Sequence, residues 1–149
     1  MQSETVCEEI EIGGERGRLF MSETRTVPVI AVVDDDKSVR ESLAEFMESV
    51  GYEVILFSSA EEFLESTRRR DDLGCMILDV RLPGMSGLEL FSQLTANRRA
   101  FPTIFITAHA DAAVAGYTTK PGVVSVLYKP FQPETLSKAV RSAFTRSRA

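Results

Sequence analysis

The segment "CMILDVRLPGMSGLEL", Cys75 to Leu90, decides the fold. Four apolar residues, Cys75-Met76-Ile77-Leu78, run straight into a carboxylate, Asp79. A short unbroken apolar run of this kind marks a strand covered on both faces, as in parallel sheets. The Pro83-Gly84 pair and a helix-like stretch opening at Ser86 then turn the chain away from that strand. A buried strand ending in an acid places a charge at the rim of a sheet, and the flanking sequence gives that charge neighbours.

Upstream, "VIAVVD" (Val29 to Asp34) is a second β-branched run that meets acids, here Asp34-Asp35-Asp36. Val39, Leu43, Phe46, Met47 and Val50 follow at the spacing of one helical face, and Gly51 closes that helix. "YEVILF" (Tyr52 to Phe57) reads as a strand. In "SSAEEFLEST", Ser59 with Glu62 three residues on predicts a capping box. Downstream, Leu88, Phe91 and Leu94 line a helix from Ser86 to Ala96. "PTIFIT" (Pro102 to Thr107) and "VVSVLY" (Val123 to Tyr128) are two more strands. A last helix, Pro133 to Phe144, turns Leu136, Val140, Ala143 and Phe144 inward, with Pro133 suited to its first turn. Between those last two strands, "ADAAVAGYTTKPG" carries Gly116 and Pro121, which disfavour helix, so a short or bent helix is expected there. Strands alternating with helices imply right-handed crossovers and hence a doubly wound five-stranded parallel α/β sheet with helices on both faces.

The 149 residues fit one domain, and the 44% hydrophobic content supports a real core. A formal net charge of -5 argues against binding nucleic acid through a general basic surface. The one basic cluster, Arg68-Arg69-Arg70, falls where a short helix should end, a place that favours cations. Cys7 and Cys75 suggest neither a disulfide framework nor a zinc site, and the easy compartment is reduced and cytoplasmic. No run approaches the roughly 18 apolar residues of a membrane span, and there is no signal-peptide core near Met1. Residues 1–27 are polar and without period and read as a disordered or extended leader; the folded domain is expected at 28–147, with no effector domain.

In an open parallel sheet, ligands bind beyond the carboxyl ends of the strands. This sequence places Asp34-Asp35-Asp36, Asp79, Thr107 and Lys129-Pro130 at four such ends. Two unit charges about 4 Å apart cost roughly 4 kcal/mol at an effective dielectric near 20, so clustered carboxylates need a cation or shared protons. All-oxygen donors suit Mg²⁺, which keeps positions open for a phosphate. Lys129 adds a fixed positive charge and Thr107 a hydroxyl donor. The set reads as a phosphoryl-transfer site with an aspartate nucleophile. Taken singly, Asp35 or Asp36 is as well explained as a helix cap, Asp79 as a solvated strand end, Thr107 as a cap and Lys129 as an exposed lysine. The joint pattern carries the site. His109 reads as an exposed loop residue, and Met85 and Ser86 as turn and helix-start residues.

The acidic "VVDDD", "LDVRLPGMSG", "FITAHAD" and "YKPF" together resemble the response-regulator receiver domain, the CheY-like module of two-component signalling, over about Val29 to Phe144. The resemblance implies a flavodoxin-like sheet of order 2-1-3-4-5. It implies that Asp79 accepts phosphate from a histidine kinase or phosphotransfer protein. Asp34, Asp35 and Asp79, with the backbone carbonyl of Arg81, would hold Mg²⁺; Thr107 and Lys129 would contact the phosphoryl group. The Lys129-Pro130 bond would be cis. Output would pass by contact with a downstream protein, without direct nucleic-acid or membrane binding, and the family allows a homodimer. Self-dephosphorylation would be at most slow, so the chain is not expected to be an enzyme.

The sequence departs from the family at Val126, where receivers usually carry an aromatic three residues before the lysine. With the weak fourth helix, this points to activation by ordering the loop from Ala108 to Gly122. It also supports a rival reading, a receiver-fold binding module that is never phosphorylated. A third, a Mg²⁺-dependent phosphohydrolase, needs a general acid near Asp79, and no second acid follows at close spacing.

Overall fold

A computed structural model describes residues 28–67, 72–108 and 112–148. The expected leader, the Arg68–Arg70 cluster and His109 lie outside the described residues. The elements are β1 (Val29–Val33), α1 (Lys37–Ser49), β2 (Glu53–Phe57), α2 (Ala60–Thr67), β3 (Leu73–Asp79), α3 (Gly87–Ala96), β4 (Thr103–Thr107), α4 (Ala112–Ala115), β5 (Val123–Tyr128) and α5 (Pro133–Arg148). The strands form one sheet of order β2-β1-β3-β4-β5, each neighbour parallel. The chain steps outward from β1 to β2, then crosses back to β3 on the other side of β1. That reversal opens a crevice at the carboxyl ends of β1 and β3.

Side chains alternate across the sheet, so one apolar run feeds two cores. Ala31, Val33, Met76, Leu78 and Phe105 face α2, α3 and α4, where Phe63, Leu90, Phe91, Leu94 and Val114 are buried. Ile30, Val32, Cys75, Ile77, Ile104 and Ile106 face α1 and α5, against Leu43, Met47, Leu136, Val140 and Ala143. Each fully buried aliphatic or aromatic side chain contributes about 1.5–3 kcal/mol. Gly74 permits the close seat of α5: a Cβ there would overlap the Phe144 ring, which stacks on Tyr52 at 5.4 Å.

Helix ends differ in detail from expectation. Val50 is the residue that ends α1 and is 48% exposed, because helical spacing continues past the point where the helix stops. Gly51 follows at φ 104°, the left-handed conformation that ends helices. At α2, the Ser59 hydroxyl accepts from the Glu62 amide (3.0 Å), but Glu62 reaches back to the amide of Ser58 (2.7 Å), one residue earlier than the pattern predicts. Ser86 and Glu89 form a complete capping box on α3. The fourth helix is short, as expected, at four residues. Tyr117 beyond it packs edge-on against Phe91 and Phe105, both 6.1 Å between ring centres, and its hydroxyl pairs with that of Ser92 (3.0 Å).

Candidate functional site

Three strands deliver the site, and their hydrogen-bond ladders continue one residue into it. The Asp34 amide donates to Phe57 on β2 (3.1 Å), the Val80 amide to Ile106 on β4 (2.9 Å) and the Lys129 amide to Thr107 (2.8 Å). The side chains of Asp34, Asp79 and Lys129 therefore leave from backbone that the sheet holds in register.

The acids after β1 divide their work. Asp36, exposed, caps α1: its carboxylate accepts from the amides of Ser38 (2.9 Å) and Val39 (3.3 Å). Those bonds hold its carboxyl below the ordinary value, the Val39 amide foremost. Asp34 is fully buried; its Oδ1 accepts from the Asp36 amide (2.9 Å) and its carbonyl from the Arg40 guanidinium (2.7 Å). Asp35 is exposed. One carboxylate oxygen from each of Asp34, Asp35 and Asp79 lies within 4.8 Å of the others.

Asp79 is 6% exposed at the end of β3. Its Oδ1 accepts from the Arg81 amide (3.0 Å). Its Oδ2 faces Lys129 Nζ at 3.4 Å, and the same ammonium lies 3.2 Å from Asp34 Oδ2. Burial pushes the Asp79 carboxyl up to about 6, with the Asp34 carboxylate adding to the rise while the Arg81 amide and Lys129 oppose it. Burial works against the Lys129 charge, but the carboxylates of Asp79 and Asp34 more than offset this and raise its pKa. Thr107 is fully buried at the end of β4, between β3 and β5 in the sheet. The Lys129-Pro130 bond is cis, as the resemblance implies. The structure thus brings Asp34, Asp35, Asp79 and Lys129 together, with Thr107 on the adjoining strand end; Arg81, expected through its carbonyl, engages Asp79 through its amide.

Sequence reasoning missed Arg40 and Glu61. Arg40 bonds a carbonyl, and Glu61 on α2 accepts from the Met85 amide (2.8 Å) across 24 residues. Main-chain partners leave no complementary residue in the sequence to find.

The donor set fits a hard divalent cation. Three carboxylates bring oxygens within 4.8 Å of one another, one of them open to solvent, and the Lys129 ammonium shared by Asp34 and Asp79 balances only part of their charge. Replacing Lys129 by Ala should cost the metal-free chain about 2–3 kcal/mol at neutral pH, less than the loss of a fully buried ion pair because the Lys129 side chain is 25% exposed. Urea melts should show that loss shrinking in mild acid, where Asp79 takes a proton; a loss equal at both pH values would mean that Lys129 acts by packing rather than charge.

A family model described as the response regulator receiver domain matches residues 30–141. Nodulation protein W of Bradyrhizobium diazoefficiens is 43% identical over 133 residues, covering 89% of this chain and 58% of that protein. Transcriptional regulatory protein FixJ of Azorhizobium caulinodans is 42% identical over 118 residues, 79% of this chain and 56% of that protein. The solved structure of response regulator StyR superposes with a TM-score of 0.76 at 43% identity, covering 83% of this chain and 62% of that one. The chain thus spans somewhat more than half the length of these relatives. With the sheet order, the acidic crevice and the matched residues in agreement, the chain belongs to the response-regulator receiver family of two-component signalling.

Proposed function

We propose that this chain is a phosphoacceptor: Asp79 takes a phosphoryl group from a histidine kinase or phosphotransfer protein in a Mg²⁺-dependent reaction, and the phosphorylated form signals by contact with a downstream protein in the cytoplasm. The observation that carries this is the shared ammonium. Lys129 Nζ lies 3.2 Å from Asp34 and 3.4 Å from Asp79, which marks the spot where negative charge is meant to collect.

In this reading an Asp79 carboxylate oxygen attacks phosphorus, an O–P bond forms, and the donor leaves with the electron pair of its broken bond. The Arg81 amide on Oδ1 holds the carboxylate in orientation for that attack. Lys129 and the Thr107 hydroxyl donate to phosphoryl oxygens. Asp34, Asp35 and Asp79, with the Arg81 carbonyl, would hold Mg²⁺, which when bound neutralises charge on the phosphoryl group. Release of phosphate by water is at most slow, and the chain is not an enzyme in the usual sense.

The expectation of no direct nucleic-acid contact is not carried into this proposal. FixJ is by name a transcriptional regulator, and this chain covers 56% of it. Among the described residues no helix is long and apolar enough to cross a membrane.

Incubation of the wild-type chain with Mg²⁺ and acetyl phosphate should add one phosphoryl group by intact mass, mapped to Asp79 by peptide analysis and lost when the metal is chelated. No gain in mass would favour the second reading, an unphosphorylated binding module. That reading draws on Val126, which is half-buried where the family usually has an aromatic.

A further inference from the structure

We propose that Glu61 is a positioning residue for this site: from α2, its carboxylate holds the apex of the Val80–Ser86 loop and so fixes how the backbone after Asp79 meets a divalent ion. The inference rests on the phosphoacceptor reading and names a residue outside the acidic crevice.

The loop leaves Asp79 and returns to α3, and its two ends are pinned. The Val80 amide donates to Ile106 (2.9 Å), the Gly87 amide to the Val80 carbonyl (2.9 Å) and the Ser86 amide to Glu89 (2.9 Å). Near its base the Arg81 amide donates to Asp79 Oδ1, and Leu82 is buried. The apex at Pro83 and Gly84 is exposed. There the contact comes from a different element: Glu61 Oε2 accepts from the Met85 amide at 2.8 Å.

The neighbouring residue is shaped to admit that carboxylate. Gly84 has φ 74°, and a Cβ on it would lie 2.7 Å from Glu61 Oε2 and 3.4 Å from its carboxyl carbon. A side chain at this position would push Glu61 away. The Met85 amide also holds the Glu61 carboxyl below its ordinary value, so the charged form makes this bond at neutral pH. With the ends of the loop fixed and its apex tied, the carbonyl of Arg81 has little freedom. Groups that orient a metal ligand without touching the metal typically matter by 10–100-fold in affinity.

The test uses the full chain as wild type, Glu61→Ala, Glu61→Gln and Gly84→Ala. Mg²⁺ binding is measured by calorimetry, amide exchange at Met85 by NMR in the metal-free protein, and folding by thermal melts. Glu61→Ala should bind Mg²⁺ roughly tenfold more weakly, with faster exchange at Met85 and little change in melting. Glu61→Gln keeps an oxygen acceptor and should stay near wild type. Gly84→Ala, which crowds the carboxylate from the loop side and strains the backbone at φ 74°, should repeat the loss and also lower melting. Glu61→Ala binding Mg²⁺ as tightly as wild type overturns the proposal, and so does Glu61→Gln falling as far as Glu61→Ala. A wild-type chain that takes no Mg²⁺ overturns the site itself and Glu61's role with it; a wild type that binds while Glu61→Ala is unchanged overturns Glu61's role alone.

Discussion

Asp79→Asn will take up no phosphoryl group from acetyl phosphate and Mg²⁺, and in metal-free buffer at neutral pH it will be more stable than wild type. The first result follows from the loss of the nucleophilic oxygen anion. The second follows from the environment of the carboxyl. The ordinary value of 3.8 is raised to about 6 in the folded chain, by burial first and then by the Asp34 carboxylate. Between those two values the folded state binds more protons than the unfolded chain, so stability falls as pH rises through that window. Above it the ionised side chain carries a cost of about 1–3 kcal/mol, the lower figure allowing for solvent screening. Asparagine removes the charge and keeps an oxygen for the Arg81 amide, while Lys129 keeps Asp34. The advantage of the variant should therefore be full at neutral pH, vanish near the lower value, and shrink when Mg²⁺ is added to both proteins. Urea melts across pH decide it. A variant less stable than wild type at neutral pH would mean that the carboxylates are not held against their own repulsion.

Among the described glycines, Gly87→Ala should be the most disruptive added methyl. Gly87 opens α3 directly beneath the strand end that carries Asp79. A Cβ there would press into the Asp79 carbonyl oxygen, 2.9 Å from the carbonyl carbon and 3.1 Å from Val80 Cα. All three are backbone atoms and cannot rotate aside, so β3 and α3 must separate. Overpacking of this kind costs about 2–4 kcal/mol. The displaced segment includes Asp79 itself, so Mg²⁺ affinity should fall together with stability. Gly116→Ala is the matched control: its nearest neighbour, the Ala113 carbonyl oxygen, would be 3.7 Å away. There the smaller unfolded-state freedom of alanine should leave stability unchanged or raise it by about 0.5 kcal/mol. Equal melting of Gly87→Ala and wild type would show that the strand end yields more easily than its contacts imply.

The strands and the site acids were legible for one reason: a continuous apolar run that stops at a carboxylate is informative at both ends. The run at Val29–Val33 and the run through Cys75–Leu78 are buried throughout, and their terminal acids meet. Which acid caps α1 was not legible from residue types, since adjacent acids look alike until the backbone chooses which one turns back. Val50 was misplaced because side-chain spacing says nothing about where the hydrogen-bonded ladder breaks. α5 runs past Phe144 to Arg148 because the added residues tolerate helix, whereas the apolar pattern in the sequence stops at Phe144. Glu61 and Arg40 act on main-chain atoms, which every residue possesses, so no pattern of residue types announces them.

The ladder bonds that run past β1, β3 and β5 into Asp34, Val80 and Lys129 make the resting site as durable as the sheet. Those bonds tie the backbone at Asp34, Val80 and Lys129 to neighbouring strands, so the loops beyond them can open without carrying the site residues along. The backbone that carries the acids is therefore held with the sheet, while the loops around it set how the crevice meets an ion. Any motion that reports a change of charge there has to be borne by the segments lying beyond those three amides.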